Sequence, residues 1–284
     1  MMPMIPYRET TIQYITERRC ASGGYCFYRL DEPNAGDTFF ALASLAILDA
    51  LPQNDRATLG YLRSFQQPDG SFPNANVGHA VIRSLAFLGE HPVTNPSGWI
   101  LSSMIVPRGT ARPVESVSLF EPLYQLTSIC RHLDIPVPQE KKEELLHCVY
   151  SFRFANGGYS QPVPAIMETA HALAILAAVD PETDLRPAFQ FVKQYEDPEY
   201  GFLSIPGSRP SFLENIHAGI LACSVLGYQS PMLGASEAFI RKCLRENGGY
   251  VRSVFGGSAT LENTFLALDA LAMIRALTGK EDTA

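Results

Sequence analysis

At 284 residues the chain is long for one ordinary domain, a length that repeat folds and barrels often reach as a single unit. Hydrophobic residues make up 46% and charged residues only 18%, enough for a large core and too apolar for a disordered chain. The net charge of −7, with no basic run, excludes an electrostatic footprint for nucleic acid or for an anionic membrane surface.

The N-terminal stretch MMPMIPYRETTIQYITERR has no basic segment followed by an apolar one, so it does not read as a signal peptide. Apolar runs along the chain are short and broken by His, Asp or Gly, so no membrane span is expected. The six cysteines form no CxxC pair and fall mostly in helix-like segments, which predicts buried thiols and a reduced, cytoplasmic setting.

In chain order, one-striped polar segments are predicted as outer helices over 9–19, 54–66, 96–105, 138–153, 184–195 and 234–246. Alanine- and leucine-rich segments between them read as buried inner helices. They begin near Asp37, Gly78, Val114, Glu168, Leu213 and Leu261. The first and last run over 37–50 and 262–277, and the one over 114–133 carries Pro122 as a predicted kink. Before most inner helices stands a glycine with an aromatic close behind: Gly24-Tyr25, Gly70-Ser71-Phe72, Gly158-Tyr159, Gly201-Phe202 and Gly249-Tyr250. Gly24 to Gly70 is 46 residues, Gly158 to Gly201 is 43, and Gly201 to Gly249 is 48. Gly70 to Gly158 is 88, or two periods, so one degenerate unit is expected near Arg108-Gly109.

The result is one all-α domain over 1–284, with repeats near 9–50, 54–89, 96–133, 138–180, 184–227 and 234–277. Six helix pairs close an α/α toroid (an α6/α6 barrel). Closure hides the apolar first and last inner helices against one another, where an open solenoid needs polar caps.

Phe65-Gln66-Gln67-Pro68-Asp69-Gly70-Ser71-Phe72 resembles the Q-x-x-D-G-S-W motif of squalene and hopene cyclases, with Phe for Trp. Gly157-Gly158-Tyr159 and Gly248-Gly249-Tyr250 resemble the GGF repeats of protein prenyltransferase β subunits. The resemblance runs from about Gly23 to Leu277. It implies the toroid fold and isoprenoid chemistry, although such a fold hosts several reactions. The zinc ligands of the prenyltransferases, an Asp and a Cys two apart and a His, fall here on Glu214, Ile216 and Asn263. Ile216 has no donor atom, so no metal and no cofactor is expected. The D-x-D-D acid of the class II cyclases is missing; Asp180-Pro181-Glu182-Thr183-Asp184 comes nearest and reads as a solvated turn.

Asp37, Glu168, Glu214 and Glu262 recur at inner-helix starts, either as a carboxylate rim for proton transfer or as caps that stabilise the helix by about 0.5–2 kcal/mol. Capping is the stronger reading for each. His171 and His217, in neighbouring repeats, are candidates for acid–base work with Glu168 or Glu214, weighed against satisfied core histidines. Phe39, Phe40, His79, Tyr124 and Phe265 are candidate walls of a central cavity, Phe39, Phe40 and Phe265 because other repeats place Ala, His or Gly there. The repeat-initial aromatics serve the repeated packing contact instead. No phosphate-binding G-x-x-x-x-G-K-[ST] loop and no G-x-S-x-G elbow occurs, nor the motifs of thioester or lanthionine-cyclase toroids. The leading reading is an isoprenoid-handling enzyme without the usual zinc, with a hydrophobic isoprenoid-type molecule as its partner. The alternatives are a non-catalytic toroid binding a protein or peptide, and a β-type subunit with a separate helical partner.

Overall fold

The structure is a computed structural model that describes residues 7–28, 31–105, 118–160 and 163–279. Among these residues twelve α-helices follow one another, outer and inner in alternation. The outer helices are α1 (Arg8–Thr16), α3 (Arg56–Arg63), α5 (Ser97–Ser103), α7 (Gln139–Ser151), α9 (Phe189–Gln194) and α11 (Leu233–Lys242). The inner ones are α2 (Ala35–Ile47), α4 (Ala75–Phe87), α6 (Glu121–His132), α8 (Ile166–Val179), α10 (Leu213–Leu226) and α12 (Leu261–Thr278). A two-residue antiparallel pair, β1 (Glu196–Asp197) and β2 (Gly201–Phe202), is the one sheet among the described residues. No described helix is long and apolar enough to cross a membrane.

The inner helices are apolar on most sides, and local side chains set where they begin. Asn34 accepts the Asp37 N–H at 2.8 Å, Asn74 accepts that of Val77 at 2.9 Å, and Thr260 accepts that of Asn263 at 2.9 Å. The outer helices bury one stripe each, as in α7, where Leu145, Cys148 and Val149 face inward.

The chain forms two compact units, residues 1–99 with 240–284, and residues 100–239. In the first unit the inner helices pack side by side in the order α12, α2, α4, so the last inner helix lies on the first. Leu42, Leu45, Leu85 and Leu268 are almost fully buried there, each contributing about 1.5–3 kcal/mol. In the second unit α8 packs between α6 and α10, with α7 against α8 and with α9 and β2 against α10.

A repeated contact explains the glycine–aromatic signature. The first glycine has a positive φ and lies on backbone of the next outer helix. A Cβ on Gly248 (φ +85°) stands 2.3 Å from the Thr10 carbonyl oxygen, and one on Gly23 (φ +98°) 2.3 Å from the Ala57 carbonyl carbon. The second glycine lies under an aromatic ring of that helix: Gly24 under Tyr61, Gly158 under Phe191, Gly249 under Tyr14. The tyrosine that follows is buried, and its N–H donates to a threonine of the inner helix. Tyr25 donates to Thr38 at 3.0 Å, Tyr159 to Thr169 at 3.0 Å, and Tyr250 to Thr264 at 3.2 Å. Threonines of the outer helix complete the joint, Thr58 donating to the Gly23 carbonyl at 2.6 Å and Thr11 to that of Gly248 at 2.8 Å. The Gly248–Thr11 contact joins the last repeat to the first.

Two sequence expectations change. Pro122 does not kink a helix running from 114. It sits in the first turn of α6, where its missing N–H has no partner to lose. The segment 184–195 is a short 3₁₀ turn over Arg186–Ala188 followed by α9, not one continuous helix. The degenerate unit's Arg108-Gly109 lies outside the described residues. All six cysteines are buried free thiols, as their placement predicted.

Candidate functional site

The candidate residues divide between the two units. In the first, Phe39 on α2 is the centre of an aromatic cluster. Its ring centroid lies 5.5 Å from Phe40, 5.4 Å from Phe265 on α12, 5.2 Å from His79 on α4 and 6.2 Å from Phe87 at the end of α4. Phe40 and Phe265 are 5.6 Å apart. The edge-on contacts of Phe39 with His79 and Phe265 follow the quadrupole preference of aromatic rings. The Arg83 guanidinium lies 5.6 Å over the Phe87 ring. Phe39 is buried, whereas Phe40, His79, Phe87 and Phe265 each keep part of their surface accessible. The inner helices α2, α4 and α12 thus present accessible aromatic surface at the place where their other faces are packed.

His79 lies deep in protein, and its pKa is pushed down to about 3, chiefly by desolvation and secondarily by the charge of Arg83. It is a neutral imidazole at physiological pH.

In the second unit α6 and α8 bring Tyr124 and His171 into a parallel stack, centroids 4.6 Å apart and planes 10° from coplanar. Ser118 Oγ lies 2.6 Å from His171 Nδ1, and Ser118 itself is fully buried. Desolvation first, and the nearby His217 on α10 second, bring the His171 pKa down to about 3. An imidazole held this far below neutrality is a weak general base and has no proton to give as an acid. Its chemistry at neutral pH is hydrogen bonding.

The four acidic candidates occupy different surroundings. Glu168, in the first turn of α8 and one turn before His171, is buried. Its charge adds to desolvation, the larger cause, in raising the Tyr195 phenol to about 12. Glu214 is half-buried in the first turn of α10. Asp37 ties its own loop together, accepting the Phe27 N–H at 3.1 Å and the Asn34 side-chain N–H at 2.7 Å. Glu262, in the first turn of α12, is exposed. The four are therefore not equivalent: Asp37 ties the loop before α2, whose N-cap is Asn34, and Glu168 shares α8 with His171.

Sequence reasoning missed Ser118, Arg83 and Phe87. Ser118 lies in the degenerate repeat, where no periodic signal points to it. Arg83 and Phe87 sit one and two turns beyond His79 on the same helix, a spacing that i, i+4 geometry makes legible.

At the positions matching the zinc ligands of the prenyltransferases, the residues do not fit the metal. Ile216 is a fully buried hydrocarbon and Asn263 is a buried neutral amide, leaving Glu214 as the single carboxylate. Among the described residues no group of three His, Cys, Asp or Glu side chains is placed to hold a metal ion.

Solved structures share this architecture. Over 96% of this chain and 92% of the other, the fold matches Candida albicans protein geranylgeranyltransferase-I complexed with GGPP, at 12% identity and a TM-score of 0.66. It matches a variant of the type II terpene cyclase MstE from Scytonema, in complex with geranylgeranyl dihydroxybenzoate, over 95% of this chain and 97% of that one. The identity there is 13% and the TM-score 0.62. A protein from Actinoplanes matches over 94% and 98%, at 16% identity and a TM-score of 0.56. No curated protein matches by sequence. The model of the prenyltransferase alpha-alpha toroid domain matches residues 5–87 and 118–284, and the chain belongs to that family of α/α toroids.

Proposed function

We propose that the protein binds a prenyl or terpenoid chain against the aromatic face of α2, α4 and α12, and acts on it without the zinc of the protein prenyltransferases. The observation that carries this reading is the Phe39–Phe40–Phe265 cluster, with accessible ring surface on buried helices. Unsaturated hydrocarbon packs well on such rings, and a carbocation formed along it gains about 0.5–2 kcal/mol from their π faces. Membership of a family whose solved relatives include structures holding GGPP and geranylgeranyl dihydroxybenzoate supports the same ligand class. The residue types at Glu214, Ile216 and Asn263 support the zinc-free form of the reading.

Calorimetric titration with linear isoprenoid alcohols and diphosphates tests it. Saturable binding in the micromolar range is expected, weakened about tenfold by Phe265→Ala through lost apolar contact. Absence of binding at high micromolar ligand rejects the proposal and favours the protein-binding alternative.

A further inference from the structure

The aromatic face of α2, α4 and α12 is not purely hydrocarbon, and its polar atoms lie within the same unit. His79 stands in the cluster with its ring in edge contact with Phe39 at 5.2 Å. Neither of its ring nitrogens has a hydrogen-bond partner among the described residues, and neither is sealed away from open space. A neutral imidazole carries one N–H donor and one acceptor nitrogen. In the empty protein, water can serve both. A plain hydrocarbon laid on the cluster strips that water and returns nothing, which lowers its affinity. A hydroxyl answers either nitrogen, and a carbonyl oxygen answers the N–H.

The charges on these helices decide against an anionic group. Their carboxylates, Asp37, Glu262 and Asp269, outnumber their cations, Arg83 and Arg275. Asp269 lies one turn beyond Phe265 on the same side of α12 and keeps part of its surface accessible. Arg275 lies in the last turn of α12 and donates to the Leu271 carbonyl at 3.3 Å. Desolvation and the Arg83 charge hold His79 unprotonated, so it adds no cation of its own. A diphosphate calls for several cations converging on it.

We infer that the isoprenoid taken up on α2, α4 and α12 is an oxygenated one, carrying an uncharged hydroxyl or carbonyl oxygen that hydrogen-bonds to His79. The inference rests on the isoprenoid reading above and specifies its ligand. His79 is then the residue that tells an oxygenated chain from a plain hydrocarbon.

The test is a cycle of protein variant against ligand: farnesol against the hydrocarbon farnesene, both delivered from one cyclodextrin to the full chain and read by calorimetry. His79→Phe keeps a ring in the cluster and removes both nitrogens. The ratio of farnesol to farnesene affinity is expected to fall about tenfold on this substitution, as loss of one hydrogen bond to a desolvated partner predicts. Farnesal is expected to follow farnesol. His91→Gln replaces an exposed imidazole outside the inner helices and leaves the ratio as in the wild type. In the wild-type protein the His79 ring-nitrogen resonances, assigned through the contact with Phe39, are expected to move with farnesol and to stay with farnesene. This measurement decides the matter where His79→Phe does not fold. An unchanged ratio in a folded His79→Phe, unmoved His79 nitrogens under saturating farnesol, or tighter binding of farnesyl diphosphate than of farnesol overturns the inference while the isoprenoid reading survives. Binding of none of these ligands overturns both.

Discussion

His79 and His171 are each neutral because protein has replaced water around them, and that has a cost that pH reveals. In the unfolded chain a histidine takes up its proton near pH 6.5, whereas in the folded protein these two do so near 3. As pH falls through the interval between the two values, the unfolded state binds protons that the folded state refuses. Stability is therefore lost toward acid, by about 1.4 kcal/mol per pH unit for each histidine. Between pH 7 and pH 5 the loss is about 2 kcal/mol from each. Urea denaturation at both pH values measures it. The His79→Gln/His171→Gln double variant is expected to lose some stability at pH 7 and to show a markedly flatter dependence between pH 7 and 5. An unchanged slope rules out burial of these two imidazoles as the source of acid sensitivity. Both histidines were legible in the sequence as cavity or core candidates, because histidine recurs just inside the inner-helix starts, at His79, His171 and His217. Ser118 was not, since a lone serine in an aperiodic stretch carries no signal until the fold lays it against α8.

At the level of elements, the glycine–aromatic loop is one joint used repeatedly, and its first glycine is required by more than its backbone conformation, as Gly89 beyond α4 shows by contrast. Gly89 and Gly248 both have positive φ, +74° and +85°, but a Cβ on Gly89 meets nothing within 4 Å. Gly89→Ala therefore pays only the left-handed backbone penalty of about 1–2 kcal/mol. Gly248→Ala adds a collision with the backbone of α1 at 2.3 Å, which cannot be relieved by rotating a side chain. Its destabilisation is expected to exceed that of Gly89→Ala by about 2 kcal/mol or more. Chemical denaturation of the two variants measures the difference, and equal losses dismiss close packing as the reason for that glycine. The period of the loops and the alternation of helices were readable because one contact recurs in several units. The aromatic partners Tyr14, Tyr61 and Phe191 were not, because each lies on an outer helix of the next repeat in the cycle, tens to hundreds of residues away. The helix start at Glu121 was obscured by its proline, which reads as a breaker inside a helix and as a starter at its first turn.

For the molecule as a whole, the decisive expectation was that two apolar terminal helices cover one another, and α12 does lie on α2. Periodicity alone does not distinguish a closed cycle from an open solenoid, since both stack like units. The apolar character of the two end helices distinguishes them, because an open array leaves those faces in water. The closing joint is the same as the internal ones: Thr11 donates to Gly248 as Thr58 donates to Gly23, and Tyr14 covers Gly249 as Tyr61 covers Gly24. A shared joint makes α1 and the loop at 248–250 one cooperative element although the bonded partners are 237 positions apart in the chain. Thr11→Ala removes a buried hydrogen bond and leaves the Gly248 carbonyl without this donor, at a cost of about 1–3 kcal/mol. In native-state hydrogen exchange, the α1 amides and the Tyr250 N–H are expected to lose protection together and by the same free energy. The Tyr159 N–H, bonded to Thr169 within the second unit, is expected to keep its protection. If α1 alone loses protection and Tyr250 does not follow, the two ends are merely adjacent and the cycle is not closed energetically. If Tyr159 falls with them, the chain opens globally and the joint has no local autonomy.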